Sequence, residues 1–253
     1  MRRIVYLLLI VAFGGMAVGQ TAASDFEAGL AAAKAENYTL ALDKFEQALK
    51  ADPNSLECGN AYRQAAVKVN TAETYDRCIG FLEQLVADHP KAPNAWLNYG
   101  YAHVDKIPVE GAITQVLLAN TALGYFSSAL ELEETWLGHY TRGNSYLYWP
   151  AIFGRTPLAI ADLEKAVALS RKVKQRSYHA RAYVGLGEAH WRLDDLAKAR
   201  EVWKEALALF PDNEDLKVRM EKDDEELGVF LTAHFEPGQR VDTNLSIIWE
   251  ESD

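Results

Sequence analysis

The sequence predicts an all-α protein built as a solenoid of antiparallel helix pairs. Apolar residues recur at helical spacing along most of the chain, the pattern repeats with a period of about 34 residues, and the repeats are separated by turns bearing proline, aspartate or asparagine. The clearest copy is 180–213, ARAYVGLGEAHWRLDDLAKAREVWKEALALFPDN. Tyr183, Leu186, Gly187 and His190 recur at i, i+3, i+4 and i+7 and so share one helix face. After the polar turn Leu193-Asp194-Asp195, the residues Leu196, Ala199, Trp203 and Ala206 mark a second helix, which Pro211 ends by disfavouring helical backbone at the residue before it.

The same pattern recurs upstream. In 24–54, Phe26, Gly29 and Leu30 begin the unit, Tyr38, Ala41, Phe45 and Ala48 form the second helix face, and Asp52-Pro53-Asn54 closes it. In 57–91, Tyr62, Ala65, Ala66 and Val69 are followed by Tyr75, Cys78, Leu82 and Leu85, with His89-Pro90 at the end. The third unit opens on Trp96, Tyr99, Gly100 and His103, then breaks at Asp105-Lys106-Ile107-Pro108. Val109 to Leu132 reads as one long apolar helix in which Ala122, Phe126 and Ala129 keep the spacing. The fourth runs from about Trp136 to Arg171 and is interrupted by the aromatic loop Trp149–Pro157, after which Ala159, Leu163 and Ala166 resume it. Arg142 stands where an apolar residue is usual. Either the helix is rotated there or Arg142 pairs with an acid on a neighbouring helix, because an unpaired buried charge is too costly.

The aromatic-x2-Leu-Gly-x2-large first helix, the Ala-x3-aromatic second helix and the closing proline resemble the tetratricopeptide repeat. The resemblance covers 24–228 in about five units, with insertions in the third and fourth. It implies a right-handed superhelix of paired antiparallel helices whose concave face binds peptides or proteins. Residues 214–228 read as one charged capping helix with Leu216, Met220 and Leu227 as its apolar positions, suited to the open end of a solenoid. Residues 229–253 form a non-repeating tail. With Ile247, Ile248 and Trp249 it is expected to pack on the array or on a partner.

The N-terminus reads as an export signal. Arg2 and Arg3 precede an apolar run from Ile4 to Phe13, and Ala17-Val18-Gly19 fits a cleavage site, with cleavage after Ala23 the alternative. The run is short of the ~20 residues a membrane span needs. The expected domains are therefore a signal peptide at 1–19, a solenoid at 24–228 and the tail. A periplasmic or secreted location follows, without stable membrane insertion of the mature chain. The formal net charge of -10 argues against nucleic acid as a partner, since phosphate binding needs a basic surface. In an oxidising compartment Cys58 and Cys78 could form a disulfide. Their positions on adjacent antiparallel helices imply an axial offset of roughly 12 Å, against Cα separations below about 7 Å in disulfides, and favour two buried thiols.

No catalytic constellation stands out, and the sequence calls for no cofactor or metal. Gly185-Leu186-Gly187 lies inside a helix with no preceding strand, so it reads as close helix packing rather than a dinucleotide loop. The six histidines are scattered, whereas a metal site needs several ligands converging. Candidate binding residues come from the first helices. The face about 100° from the packing positions, which by resemblance lines the groove, carries Arg63, Asn70, Tyr101, Tyr140, Asn144, Arg181, Glu188 and Trp191, flanked by Tyr148 and Arg192. Flat amphipathic rings beside directional polar groups suit recognition of a polypeptide; some of these aromatics could instead touch the inserted helix or the tail. Some proteins of this resemblance hold a terminal carboxylate with a Lys/Asn/Lys/Arg clamp. Only Asn144 and Arg181 are chemically similar to it, which counts against that role. The expected function is a protein-interaction or scaffold module and not an enzyme. The alternatives are an envelope-assembly factor using the inserted helix and tail as its interface, and, more remotely, a glycan binder or enzyme.

Overall fold

The computed structural model describes residues 10–236 and 241–250, with side chains from Thr21 onward. Every regular element among them is helical: α1 (Ile10–Lys34), α2 (Tyr38–Ala51), α3 (Leu56–Val69), α4 (Ala72–Asp88), α5 (Pro93–Lys106), α6 (Ala112–Leu132), α7 (Trp136–Leu147), α8 (Thr156–Ser170), α9 (Ala180–Trp191), α10 (Leu196–Leu209), α11 (Glu214–Glu221), α12 (Asp224–His234) and α13 (Ile247–Glu250). Short 3-10 turns occupy Ile107–Val109, Ala151–Phe153 and Ser177–His179. Residues 1–9 of the expected leader lie outside the described residues; the remainder, including both candidate cleavage sites, forms the first turns of α1. Among the described residues no helix is long and apolar enough to cross a membrane.

The helix boundaries follow from local chemistry. Asn37, Ser55, Thr71, Thr135, Asp195 and Asn213 each cap a helix N-terminus by accepting a backbone N–H three residues on. Pro93 and Pro157 sit in the first turns of α5 and α8, where the missing N–H has no partner to lose. The turns between α1 and α2, α3 and α4, and α9 and α10 each carry one non-glycine residue in the left-handed region: Glu36, Asn70 and Asp194, with φ of 60°, 56° and 61°. In each case it stands immediately before the residue that caps the next helix.

The chain forms two compact units. The first holds residues up to Leu118 together with Thr243–Ser246; the second holds 119–242 and 247 onward. In the first, α1 packs on α2, α2 on α3, α4 on α5, and α3 also on α5. In the second, α7 packs on α8, α8 on α9, α9 on α10 and α10 on α11. The second helices supply the core in one recurring arrangement. Ala41-Phe45-Ala48, Ala122-Phe126-Ala129, Ala159-Leu163-Ala166 and Ala199-Trp203-Ala206 are all at most 3% exposed. The small residues let the helices approach and the large residue between them fills the space. Cys78 holds the small position of the same pattern in α4, ahead of Leu82 and Leu85, and Cys58 donates its thiol to the Phe45 carbonyl at 3.6 Å. Both cysteines are buried free thiols, and burial raises the Cys58 pKa to about 12.

Two elements differ from expectation. The long apolar helix begins at Ala112 rather than Val109, because Pro108 sits in a 3-10 turn that closes α5. The single charged helix over 214–228 is two helices, α11 and α12. Asp223 interrupts it by adopting extended backbone and accepting the Glu226 N–H at 2.9 Å, which caps a new helix that runs on to His234.

Candidate functional site

In the first unit, α3 and α5 lie close together because α3 carries Gly59; a Cβ there would stand 2.2 Å from Asn98 Nδ2. Along this contact runs a stripe of buried polar side chains. Asn60 and Arg63 are one turn apart on α3, and Asn98 and Asp105 are two turns apart on α5, so each pair shares a helix face. Arg63 is fully buried, and its guanidinium organises the cluster. Its Nε donates to Asn98 Oδ1 at 3.0 Å, Nη1 to Asp105 Oδ2 at 2.7 Å and Nη2 to Asn60 Oδ1 at 3.1 Å, while the Tyr101 ring lies 4.7 Å from Arg63 Cζ. Asn98 in turn donates to the Asn94 carbonyl at 3.0 Å. A buried arginine demands such a set of acceptors, since any left out would cost the full desolvation of the group.

The cluster holds a piece of chain that belongs to no helix. Arg63 Nη2 also donates to the Thr243 carbonyl at 3.2 Å, and Gln64 Nε2 donates to Thr243 Oγ1 at 3.3 Å. The Thr243 hydroxyl donates to Asp105 Oδ1. Asn60 presents both ends of its amide: Nδ2 donates to Asn244 Oδ1 at 3.1 Å, and Oδ1 accepts the Leu245 N–H at 3.0 Å. Thr243 and Leu245 are buried. Asn244 Oδ1 also accepts the Ser246 N–H at 3.0 Å, an Asx-type turn just before α13.

The second unit is covered by its own C-terminal helices. Glu188 is buried on α9 and accepts from Arg219 of α11 through Nε at 3.1 Å and through Nη2, with His234 Nε2 at 3.9 Å. Tyr148 meets the Phe235 ring edge-on at 5.5 Å, and burial raises its pKa to about 12. Arg192 lies over Phe235 at 4.9 Å and donates to the Trp149 carbonyl at 2.8 Å; burial lowers its pKa. Arg181 reaches Asp242 at 3.7 Å.

Of the ten residues expected to line a groove, Arg63 and Tyr101 thus meet in the first unit, while Tyr148, Glu188 and Arg192 face the end of the chain in the second. Tyr140 is stacked on Trp136 at 5.1 Å, and Asn144 and Trp191 are half-buried. Asn70 is the left-handed cap of α3 and accepts from the Tyr75 hydroxyl at 2.9 Å. The residues around Arg63 that complete its cluster, Asn60, Gln64, Asn98 and Asp105, were not among those ten. Their signal is a polar stripe on an otherwise apolar helix face: Asn60 with Arg63, and Asn98 with Asp105.

Arg142 resolves to the paired alternative. Asp162 on α8 accepts its Nε at 2.7 Å and its Nη2 at 2.8 Å, and His139 Nδ1 lies 2.9 Å from the same carboxylate. Burial alone would raise the Asp162 pKa, but the hydrogen bonds from Arg142 and His139 prevail and hold it below the ordinary carboxylate value. A depressed folded-state pKa contributes stability that is present above the unfolded-state value near 3.8 and is lost as pH falls through the folded-state value. Asp162→Asn is therefore expected to cost about 3 kcal/mol at pH 7, by leaving the half-buried Arg142 without an anionic partner. The penalty should shrink below pH 4; thermal melts of both proteins at pH 7 and pH 3 measure it. Among the described residues no three His, Cys, Asp or Glu side chains are grouped to hold a metal ion.

Residues 152–212 match the family model described as tetratricopeptide repeat. No curated protein matches the chain. Among solved structures it is similar to TTC0263, a thermophilic TPR protein of Thermus thermophilus, at 22% identity over 79% of this chain and 97% of that one, with a TM-score of 0.55. It is similar to MamA at 18% identity over 81% and 97%, with a TM-score of 0.50. It is also similar to YrrB, described as a TPR protein with an unusual peptide-binding site, at 15% identity over 78% and 91%, with a TM-score of 0.50. The fold is that of tetratricopeptide-repeat proteins, and the helices over 152–212 carry that family's sequence pattern.

Proposed function

We propose that this chain is an exported interaction module that recognises a peptide or protein partner along its first helices, and performs no chemistry of its own. The observation that carries the reading is that α3 and α5 hold a non-helical polypeptide segment through side-chain hydrogen bonds to both its backbone and its side chains. The tetratricopeptide fold supports it, as does the peptide-binding site in the description of YrrB. In the second unit Tyr140, Asn144, Arg181 and Trp191 remain partly accessible and supply aromatic and polar contact area. Affinity capture from an envelope fraction tests the reading. The unsubstituted chain should retain a partner that Tyr140→Ala/Trp191→Ala loses while it keeps its helical content at the capture temperature; equal retention would sink the assignment of that face. Export is tested on the same material, since the native protein should have the mass of a chain lacking residues 1–19 or 1–23.

A second reading, in which the inserted helix is an assembly interface, is favoured by one observation. Ile113, Val116 and Leu117 of α6 are exposed apolar side chains, with Ile113 at 81%. Ile113→Asp/Leu117→Asp would then abolish partner capture while Tyr140→Ala/Trp191→Ala leaves it intact.

A further inference from the structure

The ion pair at the centre of the Arg63 cluster does not depend on the tail. If Thr243–Ser246 were withdrawn, Arg63 would keep Asn98, Asp105, Asn60 and the Tyr101 ring. What would be exposed is a preorganised set of unused groups: Asp105 Oδ1, one lone pair of Asn60 Oδ1, Asn60 Nδ2, Gln64 Nε2 and one guanidinium N–H. They meet the held chain at three successive residues: a hydroxyl that donates to Asp105, an amide side chain that accepts from Asn60, and an aliphatic residue whose N–H is held by Asn60. A merely structural strap would have no need of side-chain readout at two successive residues.

We propose that the α3–α5 groove is a recognition site for a peptide of hydroxyl–amide–aliphatic sequence, and that Thr243-Asn244-Leu245 is its built-in competitor, which a partner segment of the same chemistry displaces. This rests on the reading of the chain as a peptide-binding module and adds both the ligand class and the regulation. The energetics suit displacement. A contact of three residues is weak by itself, but tethering raises its effective concentration to the millimolar range. The groove is thus filled in the resting chain, and open to a partner that binds more tightly or is itself multivalent.

The test uses the full chain and a fluorescein-labelled peptide of the sequence of residues 241–248, followed by fluorescence anisotropy. The chain carrying Thr243→Ala/Asn244→Ala/Leu245→Ala, with helical content and melting temperature checked, should bind the peptide at least about tenfold more tightly than the unsubstituted chain, since the tethered competitor is gone. Adding Asn60→Ala to that variant should abolish binding, and a peptide with the middle asparagine replaced by alanine should bind it poorly. If the triple variant is less stable, Thr243→Ala alone should give the same direction with a smaller gain. Equal affinity for both chains, no binding by either, or indifference to Asn60→Ala would overturn the proposal. So would dimers of the unsubstituted chain that the triple variant cannot form, because the strand would then pass between copies. A chain that fails this titration yet loses its partner on Tyr140→Ala/Trp191→Ala keeps the module reading and loses only this site.

Discussion

Arg63→Met is expected to lower the unfolding free energy by about 3–5 kcal/mol, the cost of leaving a buried carboxylate unpaired. Arg63 and Asp105 both lie within 2% of full burial as side chains and meet at 2.7 Å. Methionine fills much of the volume but supplies no donor. Asp105 would then keep only the Thr243 hydroxyl, while Asn98 Oδ1 would lose its Arg63 donor. Urea or thermal unfolding measures the loss, which should lower the melting temperature by on the order of 10 °C for a chain of this length. The double variant Arg63→Met/Asp105→Leu distinguishes the charge from the packing. An apolar pair in place of a buried ion pair is often neutral or better, so the double variant should recover most of the loss. A double variant as unstable as the single one would show that the cost lies in the shape of the groove and not in the stranded charge.

Trp203→Ala is expected to cost about 3–5 kcal/mol, the range for removing a fully buried large aromatic. The indole is fully buried in the core of the second unit, and its Nε1 donates to the Val184 carbonyl at 3.1 Å. It lies against Gly187, where a Cβ would stand 2.1 Å from Nε1, nearer than any side chain tolerates. Gly187→Ala should therefore destabilise by about 1–3 kcal/mol through overpacking, despite alanine's better helix propensity. Gly185→Ala, two residues away, would place its Cβ 3.4 Å from Leu163, an ordinary contact, and should be neutral or slightly stabilising. Melts of the three variants read both effects, and a Gly187→Ala protein as stable as Gly185→Ala would contradict the close approach of α9 and α10.

The helix pairs were legible because their core residues announce themselves at short range. Ala199-x3-Trp203-x2-Ala206 and its three counterparts lie within single helices, and small–large–small at that spacing has few other physical uses. The boundary at Asp223 was legible in principle: Asp223 and Glu226 have the spacing of a helix start, but the run of charges on both sides hid it. The first unit's site was legible only in part. Arg63 and Tyr101 follow from the face they share with the expected groove. Asn60 and Asp105 are buried beside them, and the polar stripe they form with Arg63 and Asn98 stands out only once α3 and α5 are known to pack together. Thr243 lies 180 residues from Arg63, and no local pattern couples positions so far apart. The same limit applies in the second unit, where Arg219 reads as a solvated charge on a capping helix but is buried against Glu188, 31 residues upstream.

Amide hydrogen exchange at Leu245 tests the central claim, that residues 243–245 are held in the α3–α5 groove. The Leu245 N–H donates to a buried asparagine side chain and belongs to no helix, so its protection reports on the groove. In the unsubstituted chain it should exchange far more slowly than an unstructured peptide of the same sequence, and Asn60→Ala should return it close to that unstructured rate while the α10 amides stay protected. Exchange at the unstructured rate in the unsubstituted chain would contradict the account.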